Sequence, residues 1–169
     1  MLPGMSELVR LRVYHFAPGA AFEGGLVAAI ERMELLGDVK LLDALFVGRD
    51  PADGGLMAVD RGTAGAEGTF ASLLDFRLDP GRRQALTDRT LAAHPGGVPQ
   101  PLIESIAATL EPGAGIFAVI HTDADATVLE EAVARSHGRQ IADDTVESQA
   151  LAEVGERLQA AASAAGSDA

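Results

Sequence analysis

The sequence predicts an α+β fold of ferredoxin-like type: an antiparallel sheet made of two split strand–helix–strand units, with a helical insertion between them. Three observations predict it. Val9 to Phe16 alternates, with Val9, Leu11 and Val13 on one side and Arg10, Arg12 and Tyr14 on the other. A strand–helix–strand pattern occurs once near each end of the chain. Between them, from Arg61 to Pro112, the periodicity is helical.

The period of two marks Val9 to Phe16 as a half-buried strand, closed by Pro18 and Gly19. Phe22, Leu26, Ile30 and Met33 lay an apolar stripe along a helix over 22–36, and Gly37 sits where a C-cap belongs. Val39 to Val47 is a long apolar run containing Asp43. Asp50-Pro51-Ala52-Asp53-Gly54-Gly55 has turn chemistry, and Leu56 to Val59 resumes the strand pattern, so the two runs read as a hairpin. In the insertion, Gly62, Gly65 and Gly68 read as a linker, and Phe70, Leu73 and Leu74 have helical spacing. Asp79-Pro80 reads as an N-cap followed by Pro at the first helical position, opening a helix to about Ala93. His94-Pro95-Gly96-Gly97 breaks it, and Leu102, Ile103, Ile106 and Leu110 mark another short helix before the Glu111-Pro112-Gly113 turn.

Ile116 to His121 reads as a buried strand. A helix capped by Thr122 or Asp123 follows, with Val128, Leu129, Ala132 and Val133 on one face. Gly138 ends it, and Arg139 to Thr145 is a short strand. A last helix is expected from about Val146, carrying Leu151, Val154 and Leu158. One domain therefore spans 1–160, with 61–112 as its helical insertion and 161–169 as a flexible tail.

Charge and composition narrow the function classes. The 169 residues hold 13 Lys+Arg against 25 Asp+Glu, a net charge of -12, and no cysteine. A chain of this size hides roughly 70% of its unfolded surface, so one core suffices. Without cysteine there is no disulfide, thiolate nucleophile or Cys-held metal. Nucleic acid needs a basic patch, whereas the single lysine, Lys40, sits among scattered arginines. Met1 to Arg10 lacks the apolar core of a signal peptide, and Gly113 to Ile120 is far short of the roughly 18–20 residues that span a bilayer. The reading is a cytoplasmic protein with no nucleic-acid or membrane partner.

The stretch Leu110-Glu111-Pro112-Gly113-Ala114-Gly115-Ile116-Phe117-Ala118-Val119 resembles the L-x-P-G plus apolar-strand signature of a group of uncharacterised bacterial proteins. These carry a domain of unknown function, and many were once labelled membrane proteins. Phe22 to Leu36 followed by Leu41 to Val47, and Gly138-Arg139-Gln140-Ile141 before a helix, are similar to other parts of that group. The resemblance implies a fold class and brings no catalytic residues with it. This chain departs from the group's apolar middle, placing Asp75, Arg77, Asp79, Arg82, Arg83, Asp88 and Arg89 there.

Several residues are candidates for chemistry. His15 and His121 each stand at a strand end, where histidine tunes readily near neutral pH. Antiparallel neighbours would carry them to opposite ends of the sheet, so a joint site within one chain is not expected. Tyr14, the sole tyrosine, and Arg12 share a side of the first strand and would line a pocket on that face. Arg82 and Arg83, on the expected insertion helix, suit a carboxylate or phosphate ligand, although a solvated face is the plainer reading. His94 lies in a candidate loop beside Gly. His121, Asp123 and Asp125 are weak metal candidates in no known spacing, and capping explains the carboxylates more simply. Asp143, Asp144 and Glu147 read likewise as a cap and dipole cluster. Asp50 to Asp53 lacks the later ligands of a calcium loop.

These features point to a binding or regulatory module with a small-molecule ligand, homo-oligomeric through its sheet or an edge strand. The competing reading is an enzyme of the dimeric α+β barrel type, with monooxygenase- or haem-like chemistry at His15, His121 and Tyr14. No particular cofactor is indicated.

Overall fold

The structure, a computed structural model, describes residues 9–18, 41–60, 80–92, 97–122, 127–135, 138–147 and 150–167. The expected helix over 22–36, the glycine-marked linker, the helical pattern from Phe70, the loop histidine His94, and Asp123 and Asp125 lie outside them.

Five strands are present among the described residues: β1 (Val9–Phe16), β2 (Leu41–Arg49), β3 (Leu56–Asp60), β4 (Gly115–Thr122) and β5 (Gly138–Val146). With them are four helices, α1 (Pro80–Leu91), α2 (Gln100–Ala107), α3 (Thr127–Arg135) and α4 (Gly155–Ser167), and a short 3₁₀ turn, Leu151–Val154. The fold is α+β. The strands form one open sheet in the order β3-β2-β4-β1-β5, antiparallel at every pairing.

The β2–β3 hairpin turns as its composition requires. Asp50 Oδ1 accepts from Ala52 N at 2.7 Å, and Asp53 Oδ1 from Gly55 N at 2.7 Å. Both carboxylates therefore serve the turn. The Pro-Gly turn before β4 is built by Gly113, whose φ of +89° admits glycine readily and other residues only with strain. Its N–H donates to Arg49 O at 2.9 Å, and Arg49 N returns a bond to Ala114 O at 3.1 Å, so the turn sets β4 against β2. The L-x-P-G segment is thus a register device.

Cross-strand register divides the sheet into two faces. Val9, Leu11 and Val13 share one with Leu45, Val47, Ala58, Ile116, Ala118 and Ile120. This inner face packs against Ile103, Ile106 and Ala107 of α2, Leu151 of the 3₁₀ turn, and Leu158, Ala161 and Ala162 of α4. The other face carries Arg10, Arg12, Tyr14 and Phe16 with Ala44, Phe46, Phe117, Val119 and His121. Helix α3 belongs to it, since its Glu130 bonds Arg12 and its Val133 side chain lies where a Cβ on Gly138 would fall. Helices therefore lie on both faces of the sheet. The insertion and C-terminal helices supply the second layer.

Three expectations need correction. Asp143 and Asp144 do not cap a helix: β5 runs on to Val146, with Asp143 opposite Arg12 and Asp144 opposite Leu11. Pairing with the central strand outweighs the poor strand propensity of aspartate. The last helical segment accordingly begins at Leu151, not near Val146. Its start is capped from another strand, for Asp43 Oδ2 accepts from Leu151 N at 2.8 Å. Finally, the segment expected as a flexible tail is helix as far as Ser167. Alanine has the highest helix propensity, and Ala161 and Ala162 are small enough to be buried against the sheet.

The sheet edges differ in how they are closed. Along β3 runs α1, and Thr87 Oγ1 accepts from the otherwise unpaired Ala58 N–H at 3.1 Å. β5 carries exposed Arg139, Gln140, Asp143 and Asp144, and a register shift opposite Val13 and Tyr14. A covering helix at one edge, and charge with a bulge at the other, both discourage strand addition.

Candidate functional site

The sheet face that holds α3 buries an unusual amount of polar chemistry. Adjacent strands β1 and β4 set Arg10 opposite His121, Arg12 opposite Val119 and Tyr14 opposite Phe117. His121 is fully buried, Tyr14 is 1% exposed and Arg12 7% exposed. The Tyr14 and Phe117 rings stack with centroids 6.3 Å apart and 19° between planes. Phe16, Phe46 and Val119 complete an apolar surround on the same face.

Each polar group is held differently. Arg12 Nη1 donates to Glu130 Oε1 on α3 and, at 3.5 Å, to Gln140 Oε1 on β5. Burial opposes the Arg12 charge, but the bond to Glu130 and the nearby Tyr14 and Asp143 outweigh it, so its pKa is raised. Arg10 Nε donates to Asp143 Oδ1 at 3.0 Å, and its Nη2 lies 2.9 Å from the same oxygen. That bond is the main reason the Asp143 carboxyl is held below the usual range. Both arginines on this face thus have a carboxylate counter-charge.

His121 Nδ1 lies 2.7 Å from Thr122 O. A carbonyl only accepts, so the proton sits on Nδ1 and Nε2 presents its lone pair. Burial, then the positive charges of Arg12 and Arg10, lower the His121 pKa, with the Thr122 bond pulling the other way. Its ring is therefore neutral at pH 7. Burial pushes the Tyr14 phenol up to about 12. The adjacent Arg12 side chain favours the phenolate and pulls the other way. Three buried polar atoms on this face lack a hydrogen-bond partner: Arg12 Nε, Tyr14 Oη and His121 Nε2. Such groups are rare in folded chains and cost about 1–3 kcal/mol each when unmet.

The structure brings Arg12, Tyr14 and His121 together and leaves His15 out. His15 pairs with Ile116, at the opposite end of β1 and on the inner face, where burial and then Arg139 lower its pKa. Arg82 and Arg83 fall in the first turn of α1, away from this strand pair in sequence and element. Sequence reading missed Glu130, Gln140, Asp143 and Arg10. The signal for Arg10 was present, since it alternates to the same side as Arg12 and Tyr14, but its partners came from strand register.

A surface groove elsewhere runs between α2, the end of β5 and α4, lined by Leu102, Thr145, Glu147, Glu153, Glu156 and Arg157. It is acidic and holds no histidine or tyrosine, and it does not reach the Arg12–Tyr14–His121 cluster. Among the described residues no group of three or more His, Asp or Glu side chains is placed to hold a metal ion, and no helix is long and apolar enough to cross a membrane. Comparison of the chain with protein-family models, with curated proteins and with solved structures finds no match.

Proposed function

We propose that the protein is a small-molecule-binding α+β module whose ligand engages Arg12, Tyr14 and His121 between the sheet and α3. One observation carries this reading: three polar atoms from adjacent strands, buried on one face, share the same want of a partner. Each unmet buried atom costs stability, which a core built for packing alone has no reason to carry. Buried polar groups converging among aromatic rings are what a ligand site needs. The order β2-β4-β1-β5, with α3 crossing from β4 to β5, supports a ferredoxin-like core carrying β3 as an added edge strand. Short sequence similarity to the uncharacterised L-x-P-G proteins is compatible with that proposal.

The test is native mass spectrometry of the purified protein, with Tyr14→Phe and His121→Gln beside it. A co-purifying small molecule that both variants lose supports the site. A ligand retained by both variants places binding elsewhere.

The enzyme reading keeps one favourable observation. A neutral His121 with a free Nε2 lone pair has the form of a general base. It does not need His15. A barrel closed by pairing two open sheet faces is less well supported, because Phe46, Phe117, Val119 and His121 are already buried within one chain. Both guarded edges likewise give homo-oligomerisation no obvious seam.

A further inference from the structure

We propose that Asp53 is a site of spontaneous covalent modification: its side chain closes on the Gly54 nitrogen, and the turn converts to isoaspartate, which unlatches the β2–β3 hairpin from α2. The sequence makes this position singular. Asparagine is absent from the chain, and Asp53 alone among the aspartates precedes a glycine. The residue after the aspartate supplies the attacking nitrogen, and a Cβ there crowds the approach. Every other aspartate is followed by a residue that has one.

The turn favours the closure. Asp53 is exposed, so water reaches its carboxyl. Gly55 N donates to Asp53 Oδ1 at 2.7 Å, which folds the carboxyl forward over the Gly54 peptide and polarises it. Gly54 has room to move, since the nearest atom to a Cβ placed there is Pro112 Cγ at 3.9 Å. Its N–H donates to Asp50 O at 2.8 Å, and opening of that bond gates the reaction. The freed nitrogen adds to Cγ of the protonated Asp53 carboxyl. A C–N bond forms and a C–O bond breaks, and the amide proton and the carboxyl hydroxyl leave as water. The cyclic imide then takes up water at either carbonyl. One opening restores aspartate. The other gives isoaspartate, whose main chain runs through Cβ and Cγ. Water is the sole co-reactant.

The added main-chain carbon acts beyond the turn. Gly54 O accepts from Arg49 Nη1 at 2.8 Å, while Arg49 Nε donates to Ala107 O, at the end of α2, at 2.8 Å. One side chain thus ties the turn to the inner helical layer. Isoaspartate displaces Gly54 and removes the Asp53 Oδ1 acceptor, so Arg49 loses its grip on the turn.

The test is ageing of the intact chain in mildly acidic H₂¹⁸O at physiological temperature, beside a sample unfolded in urea. Peptide mapping with electron-transfer fragmentation separates isoaspartate from aspartate. Isoaspartate and ¹⁸O are expected at Asp53 and at no other aspartate. The aged chain should melt roughly 2–4 °C lower, the shift that about one lost hydrogen bond gives at this length. Asp53→Glu, which would need a larger ring, should age without either change. An Asp53 that stays unmodified in the folded chain while the urea sample converts would overturn the site. So would equal conversion at other aspartates. Isoaspartate at Asp53 with an unchanged melting temperature would overturn the unlatching. The wild-type chain decides even if the variant does not fold.

Discussion

The two faces of the sheet are buried to the same degree and built on opposite logic. On the inner face, Val9, Leu11, Val13, Ile116, Ala118 and Ile120 pack with α2 and α4 in one apolar cluster, and the polar side chains among them are matched, Asp43 to Leu151 N and Arg49 to Ala107 O. On the α3 face, Arg12 and His121 occupy positions of equal burial and leave polar atoms unmet. One face is optimised for stability. The other carries polar groups that stability does not require, and such exceptions are where function is expected.

The largest effect that would sharpen this contrast is on the inner face. Leu11→Ala should lower unfolding stability by about 3 kcal/mol in a urea titration, since a central β1 position leaves a cavity that cannot collapse. A loss below about 1 kcal/mol would mean that face is loosely packed.

The second effect is a pH dependence centred on His121 of the α3 face. His121 has a folded pKa below its ordinary 6.5, so the unfolded chain binds the proton more readily. Its contribution is fully present above 6.5 and is lost as pH falls from there toward the folded pKa. Melting temperature should therefore drop between pH 7.5 and 5.5, and His121→Leu should flatten that slope. A residual slope of the same sign is expected from His15, whose pKa is also lowered. An unchanged slope in His121→Leu would break the assignment.

Third, Asp43→Ala removes the cap on Leu151 and should cost about 1 kcal/mol. Faster amide hydrogen exchange in 151–167 than in α2 would show that the loss is local. The smallest effect is the most telling. Tyr14→Phe deletes a buried hydroxyl that has no partner, so stability should change by less than about 0.5 kcal/mol or rise slightly. A loss above about 1 kcal/mol would reveal that the hydroxyl is bonded within the protein, against the ligand reading.

Much of the framework was legible in the sequence because it is local. Alternation marked β1, turn chemistry marked 50–55, Pro80 marked the start of α1, and Gly113 marked the turn before β4. Whatever depends on register was not legible. Asp143 and Asp144 looked like a helix start because carboxylates are common there, and only pairing with β1 makes them strand residues. Asp43 looked like a lone charge in an apolar run, and its partner is Leu151, far along the chain. The site follows the same rule. Alternation placed Arg12 and Tyr14 on one side, but His121 joins them only through the β1–β4 register. Alternation alone sends His15 to the other face, with Val13.

The central place of β1 also has a consequence during synthesis. It is the earliest of the described strands to be made, and both its neighbours, β4 and β5, come last. Residues 17 to 114 must be translated before any partner exists. At ribosomal speed, that leaves an apolar strand unpaired for on the order of 5–20 seconds. Only after such delayed closure of a long loop does the sheet gain its middle, which favours slow, late and highly cooperative folding.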